Sequence, residues 1–173
     1  SITLSGNASA DYDSDITNIS VTCTVDEYVD HTGDGSLSAG TGVLLTAVND
    51  AETLSLSDDG AIAEGAENGE VITAEISGGQ LDAGITPSNW TVSNLPEGVS
   101  KGTVTRVDDY HVSITLSGNS TKDYDADITN VTVSCTASEY SDNTGGGTLS
   151  ANSGITITAV VDPESISISD DGL

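Results

Sequence analysis

The stretch VSITLSGNSTKDYDADITNVTVSCTA, Val112–Ala137, decides the fold of this chain. Val112, Ile114 and Leu116 alternate with Ser113 and Thr115. After an acidic break, Val131, Val133, Cys135 and Ala137 alternate with Thr132, Ser134 and Thr136. Apolar residues at every second position, with Ser and Thr between them, place one face of a strand in a core and the other in water. The same pattern continues in Ile155, Ile157 and Ala159, and strands are predicted over Val71–Ile76, Trp90–Leu95 and Gly102–Val107. RVDDYHV at Arg106–Val112 sets an Asp-Asp turn between two alternating segments, which reads as a hairpin. No segment has helical periodicity. The class is all-β.

That stretch occurs twice. SITLSGN at Ser1–Asn7 returns at Ser113–Asn119, DYDSDITN at Asp11–Asn18 returns as DYDADITN at Asp123–Asn130, and LSLSDDG at Leu54–Gly60 returns as ISISDDG at Ile166–Gly172. Aligned without a gap at an offset of 112, residues 1–61 and 113–173 share 37 identities. Such a period is too long for a solenoid repeat and suits one β-sandwich domain of about 100 residues. The predicted organisation is a C-terminal half-repeat over 1–50, an acidic linker over 51–64, a complete repeat over 65–162 and the start of the next linker over 163–173.

Composition narrows the partners. Three Lys and Arg against 28 Asp and Glu leave a formal charge of −25. That disfavours nucleic acid, whose phosphates need basic side chains, and anionic membrane surfaces. No apolar run is long enough to span a bilayer, and no signal peptide is visible at Ser1. With one Trp, five Tyr and no Phe or Met, the core must come from Val, Ile, Leu and Ala.

The order NWTVSNLPEGV (Asn89–Val99), GTVTRVDD (Gly102–Asp109), VSITLSGNSTKDYDADITNVTVS (Val112–Ser134) and GITITAV (Gly154–Val160) resembles the tandem Ig-like repeats of very large prokaryotic cell-surface proteins, found in adhesins, S-layer-type proteins and filaments. The resemblance covers the whole chain. It implies an Ig-like sandwich in an extracellular, non-enzymatic, extended protein. The family unit would begin near Gly65, whereas this chain opens inside a repeat.

Each repeat carries one cysteine, Cys23 or Cys135, so no disulfide can form within a repeat. A small buried thiol is the first reading and a bridge between repeats or chains the second. Asp11, Asp13 and Asp15 form D-x-D-x-D, repeated at Asp123, Asp125 and Asp127, which supplies the alternate carboxylates that Ca²⁺ takes. The motif lacks the Gly and the closing Glu of an EF-hand loop, and a solvated turn around Tyr12 and Tyr124 is the competing reading. Asp58 and Asp59, with Glu64, Glu67 and Glu70, form a second acidic set in the expected linker, where a cation would relieve repulsion. N-x-S/T acceptors stand at Asn7, Asn18, Asn89, Asn119 and Asn130, to be weighed against ordinary turn residues in so Ser/Thr-rich a chain. A Lys–Asn crosslink is disfavoured, since Lys122 aligns with Ala10 and Lys101 sits in a turn-like stretch.

The function expected is therefore a structural, non-catalytic repeat of a stalk, surface layer or filament, with copies of itself as partners. Preceding residues of a longer chain, or strands from a neighbouring subunit, would complete the half-repeat. A glycan- or ligand-binding adhesion module is the alternative. It would need Trp90, Tyr28, Tyr110 and Tyr140 as an exposed platform.

Overall fold

The computed structural model of the chain describes residues 1–8, 12, 14–29, 35–40, 42–48, 50–141, 147–163, 165–170 and 172. It divides into two compact units, Ser1–Asp50 and Ala51–Leu173. In the first, β1 (Val21–Cys23) pairs antiparallel with β2 (Leu37–Ala39), Val21 opposite Ala39 and Cys23 opposite Leu37. A 3-10 turn over Val25–Glu27 follows β1, and a bridge ties Ile16 to Leu45.

The second unit contains β3 (Thr53–Asp58), β4 (Ile62–Ala63), β5 (Val71–Ser77), β6 (Gln80–Leu81), β7 (Trp90–Ser93), β8 (Ser100–Arg106), β9 (His111–Ser117), β10 (Thr132–Cys135), β11 (Tyr140–Ser141), β12 (Leu149–Ala151) and β13 (Ile157–Thr158). One sheet runs β3-β5-β9-β8. A second group holds β12-β10-β7 with the short pairs β11–β6 and β13–β4. Pairing is antiparallel throughout except for β4 with β13, Ile62 facing Ile157. The inward faces share one core, in which Ile72, Ile76, Val104, Ile114, Leu116, Val131, Val133, Ile155 and Ile157 are buried and Val92 is half-buried against it. The all-β reading and the period-two core therefore stand as expected.

The β8–β9 hairpin forms where RVDDYHV predicts it. Asp108 Oδ1 accepts the N–H groups of Tyr110 at 2.8 Å and His111 at 2.9 Å, closing the turn with its own side chain. Lys101 is a correction: it lies within β8, and its Nζ donates to the carbonyls of Pro87 and Trp90. β10 stops at Cys135, and Ala137 enters a 3-10 turn over Ala137–Glu139.

The linker expected over 51–64 is also corrected. Leu54 and Leu56 alternate with Ser55 and Ser57, and this segment is β3, the edge strand on β5. Ile62 is fully buried in β4. The acidic character that suggested a linker belongs to the turn between the two strands, where Asp59 Oδ1 accepts the Val71 N–H. The counterpart of β3 near the C-terminus behaves differently. Ile166 and Ile168 are 90% and 92% exposed, and no strand forms among the described residues of 163–173.

Gly154 shows how closely β3 is held. Its φ of 99° is left-handed, and a Cβ there would collide with the Leu56 carbonyl. We expect Gly154→Ala to destabilise this unit by at least about 2 kcal/mol, from backbone strain plus displacement of β3. Urea unfolding followed by the fluorescence of Trp90, the chain's sole Trp, measures it.

Candidate metal centre

The loop after β9 carries the second D-x-D-x-D, and the segment after β13 carries Asp162. Carboxylate oxygens of Asp123, Asp125 and Asp162 all lie within 4.8 Å of one another, and all three residues are exposed. Two oxygens on one Ca²⁺, each about 2.4 Å from it, are separated by at most about 4.8 Å, so the spacing suits a shared hard cation. Water would supply the rest of its six to eight oxygens.

Glu64, from the turn after β4, ties the two segments together. Its Oε1 accepts the Tyr124 N–H at 3.2 Å and its Oε2 accepts the Val160 N–H at 2.9 Å. Asp123 therefore stands among like charges. The Asp162 carboxylate foremost, then desolvation, a hydrogen bond to Glu64 and the charges of Glu64 and Asp125 push its carboxyl above the ordinary carboxylate range.

The remaining acids expected to bind metal are placed elsewhere. Asp127 points to the backbone, its Oδ1 accepting the Ala159 N–H at 2.9 Å, and Asp15 does the same for Ala47 in the first unit. Both are thereby turned from the expected metal role to a capping one. Asp11 and Asp13 lie outside the described residues. Asp58 sits in β3 opposite Ile72, and Asp59 caps Val71, so the turn between β3 and β4 brings no metal-ligating trio together among the described residues. Asp162 was missed by motif reading because it lies nearly forty residues from Asp123. Its identity with Asp50 across the repeat was the available signal.

Two acids, Glu67 and Glu139, are interior. Glu67 is fully buried, with Oε2 accepting the Ser120 N–H at 3.0 Å and Oε1 accepting the Tyr124 hydroxyl at 3.0 Å. Burial works against its charge. Hydrogen bonds from the Ser120 and Glu67 N–H groups and from the Ser120 and Tyr124 hydroxyls outweigh that and hold the carboxyl below its usual 4.5. Glu139 is buried too: its Oε1 accepts the Asn89 amide at 2.7 Å, and its Oε2 accepts the Trp90 indole and Thr86 N–H groups at 2.9 Å.

This last cluster bears on two further expectations. Trp90 and Tyr140 are core residues, which removes half of the proposed aromatic platform; Tyr110 is exposed. The Asn89 amide is bonded to Ser138 and Glu139, so a glycan there would displace both bonds, whereas Asn7, Asn18, Asn119 and Asn130 are exposed. Cys135 is buried beside Glu139, and desolvation first, then that charge, push its thiol up to about 11. Such a thiol is inert at neutral pH.

No family model matches the chain, and no curated protein matches it. Among solved structures, it is similar to a multi-modular, cell-surface-expressed chitinase from Paenibacillus sp. str. FPU-7, with 21% identity and a TM-score of 0.49. The match covers 63% of this chain and 13% of the chitinase.

Two outcomes follow from these geometries. A raised carboxyl in the folded state means that Asp123 opposes folding once ionised, so Asp123→Asn should raise the melting temperature at pH 7 without divalent cations. Millimolar Ca²⁺ should raise that of the wild type and leave the variant unmoved. Equal response of both chains, or of neither, dismisses the centre. For Glu67 the sign is opposite: its contribution is complete above pH 4.5 and is lost as pH falls through its depressed value. Glu67→Gln should cost about 1–3 kcal/mol at pH 7, and the gap to wild type should close on acidification.

Proposed function

We propose that this chain is part of an extracellular, non-catalytic array of sandwich repeats that acts as a stalk, surface layer or filament, with further copies of the repeat as its partners. The observation that carries this reading is the repeat itself. Two copies at an offset of 112 build the same hairpin, the same bridge and the same aspartate cap.

Geometry at the surface supports a spacer role. The exposed strand faces are largely Ser and Thr, and the net charge of −25 keeps neighbouring arrays apart. A cation shared by Asp123, Asp125 and Asp162 would tie the end of one repeat to the loop after β9, next to where the following repeat begins. With Trp90 and Tyr140 in the core, the adhesion alternative retains few exposed aromatics for stacking on a sugar. Among the described residues, no helix is long and apolar enough to cross a membrane.

Force spectroscopy on residues 51–162 linked in tandem tests the mechanical role. Each unfolding event should lengthen the chain by roughly 33–36 nm, the span of 112 extended residues less a folded length of about 4 nm. The number of events should rise with the number of copies. Irregular steps, or extension without force peaks, would set the load-bearing reading aside.

A further inference from the structure

Among the described residues, the β1–β2 hairpin and its flanking turns hold the local geometry of the β10–β12 hairpin without the strands that cover the latter. The hairpins share one register: Val21 faces Ala39 as Val133 faces Ala151, and Cys23 faces Leu37 as Cys135 faces Leu149. The Tyr28 hydroxyl donates to the Gly35 carbonyl at 2.7 Å, as Tyr140 donates to Gly147 at 2.8 Å. Gly42 has a φ of 102° where Gly154 has 99°. The hairpin is preformed.

Its cover is what differs. In the second copy, Ile114 lies between Ile72 and Val104, Cys135 faces Trp90, Ile157 faces Ile62 and the Leu56 carbonyl lies over Gly154. Every one of those covering residues comes from 51–112. In the first copy, Ile2 and Leu4 are 70% and 67% exposed and outside any strand, where Ile114 and Leu116 are buried in β9. An open groove of about 240 Å³ is lined by Val21, Cys23, Leu37, Ser38 and Ala39. A Cβ on Gly42 would meet nothing within 4 Å. Glu27, the counterpart of buried Glu139, is exposed on its own 3-10 turn.

We infer that residues 1–50 are an acceptor face for one kind of occupant, a polypeptide segment with the strand pattern of residues 51–112. Its counterpart of β7 adds to the free edge of β1, and its indole N–H bonds Glu27 as Trp90 bonds Glu139. Its counterpart of β3 lies over Gly42. Its counterparts of β5 and β8 draw Ile2 and Leu4 into a central strand. Main-chain pairing supplies the affinity, and the Trp–Glu bond with the left-handed glycine sets the register. An apolar face with unpaired edges is otherwise a site of aggregation. This inference rests on the repeat reading but not on whether arrays bear load.

Cys23 reports the outcome, with Cys135 as an internal standard. In the 173-residue chain, Cys23 should react rapidly with a thiol reagent while Cys135 reacts only on unfolding. Fusing residues 51–112 directly ahead of Ser1 should slow Cys23 by about 100-fold or more, toward the rate of Cys135. The same residues in scrambled order should not. Glu27→Ala should leave Cys23 labelling within about 2-fold in the original chain, where Glu27 is solvated, and restore at least about 10-fold faster labelling in the fusion. A second arm adds residues 51–112 in trans to the original chain and reads the same thiol, which keeps the test decisive if the fusion does not fold. Rapid labelling of Cys23 in both arms while Cys135 stays protected would overturn the inference and leave the load-bearing role to its own test. So would equal effects of Glu27→Ala in fused and unfused chains.

Discussion

β9 on both edges and β10 on one are paired by strands that precede them in the chain. β9 lies between β5 and β8, and β10 takes β7 on the edge that β12 leaves free. A strand deprived of such neighbours exposes unpaired N–H and C=O groups together with its apolar face, and both are costly. The sandwich is thus built from two complementary halves, residues 51–112 and 113–162. The contrast between its copies follows from which of them residues 51–112 pair with.

Buried and half-buried acids lock the halves together. Glu139, from the second half, takes three donors from the first: the Trp90 indole, the Asn89 amide and the Thr86 N–H. Glu67 and Glu64 reach the other way, accepting from Ser120, Tyr124 and Val160. Removing one partner of a buried charged bond leaves the other desolvated and unmatched, which costs more than the bond contributes. These carboxylates therefore specify which half fits which. A few of the chain's many acids are thus consumed in folding, apart from those gathered at Asp123, Asp125 and Asp162.

Repetition turned local comparison into a controlled one. Gly42 and Gly154 adopt the same left-handed φ, yet only at Gly154 does a backbone carbonyl forbid a side chain. Leu54–Asp58 and Ile166–Asp170 read LSLSD and ISISD; the first is a strand and the second is solvated. Near-identical residues differ in structure because β5 is there to receive one and not the other.

Much was legible in the residues alone. Period-two spacing identified the all-β class and most of the side chains that are buried, and the offset of 112 identified residues 1–50 as a second copy of 113–162, because alternation and repetition are properties of the residues themselves. The Asp-Asp hairpin was legible for the same reason, since Asp108 caps its own turn. Whatever depended on distant segments was not. Composition made 51–64 look like a linker, and D-x-D-x-D looked like a three-carboxylate site, whereas folding sends Asp127 to the Ala159 amide and brings in Asp162 instead. Glu67 and Glu139 carried no sign of burial, for a carboxylate enters a core only where donors from remote strands converge on it. That convergence is settled by sheet pairing across some fifty residues, which only the tertiary structure decides.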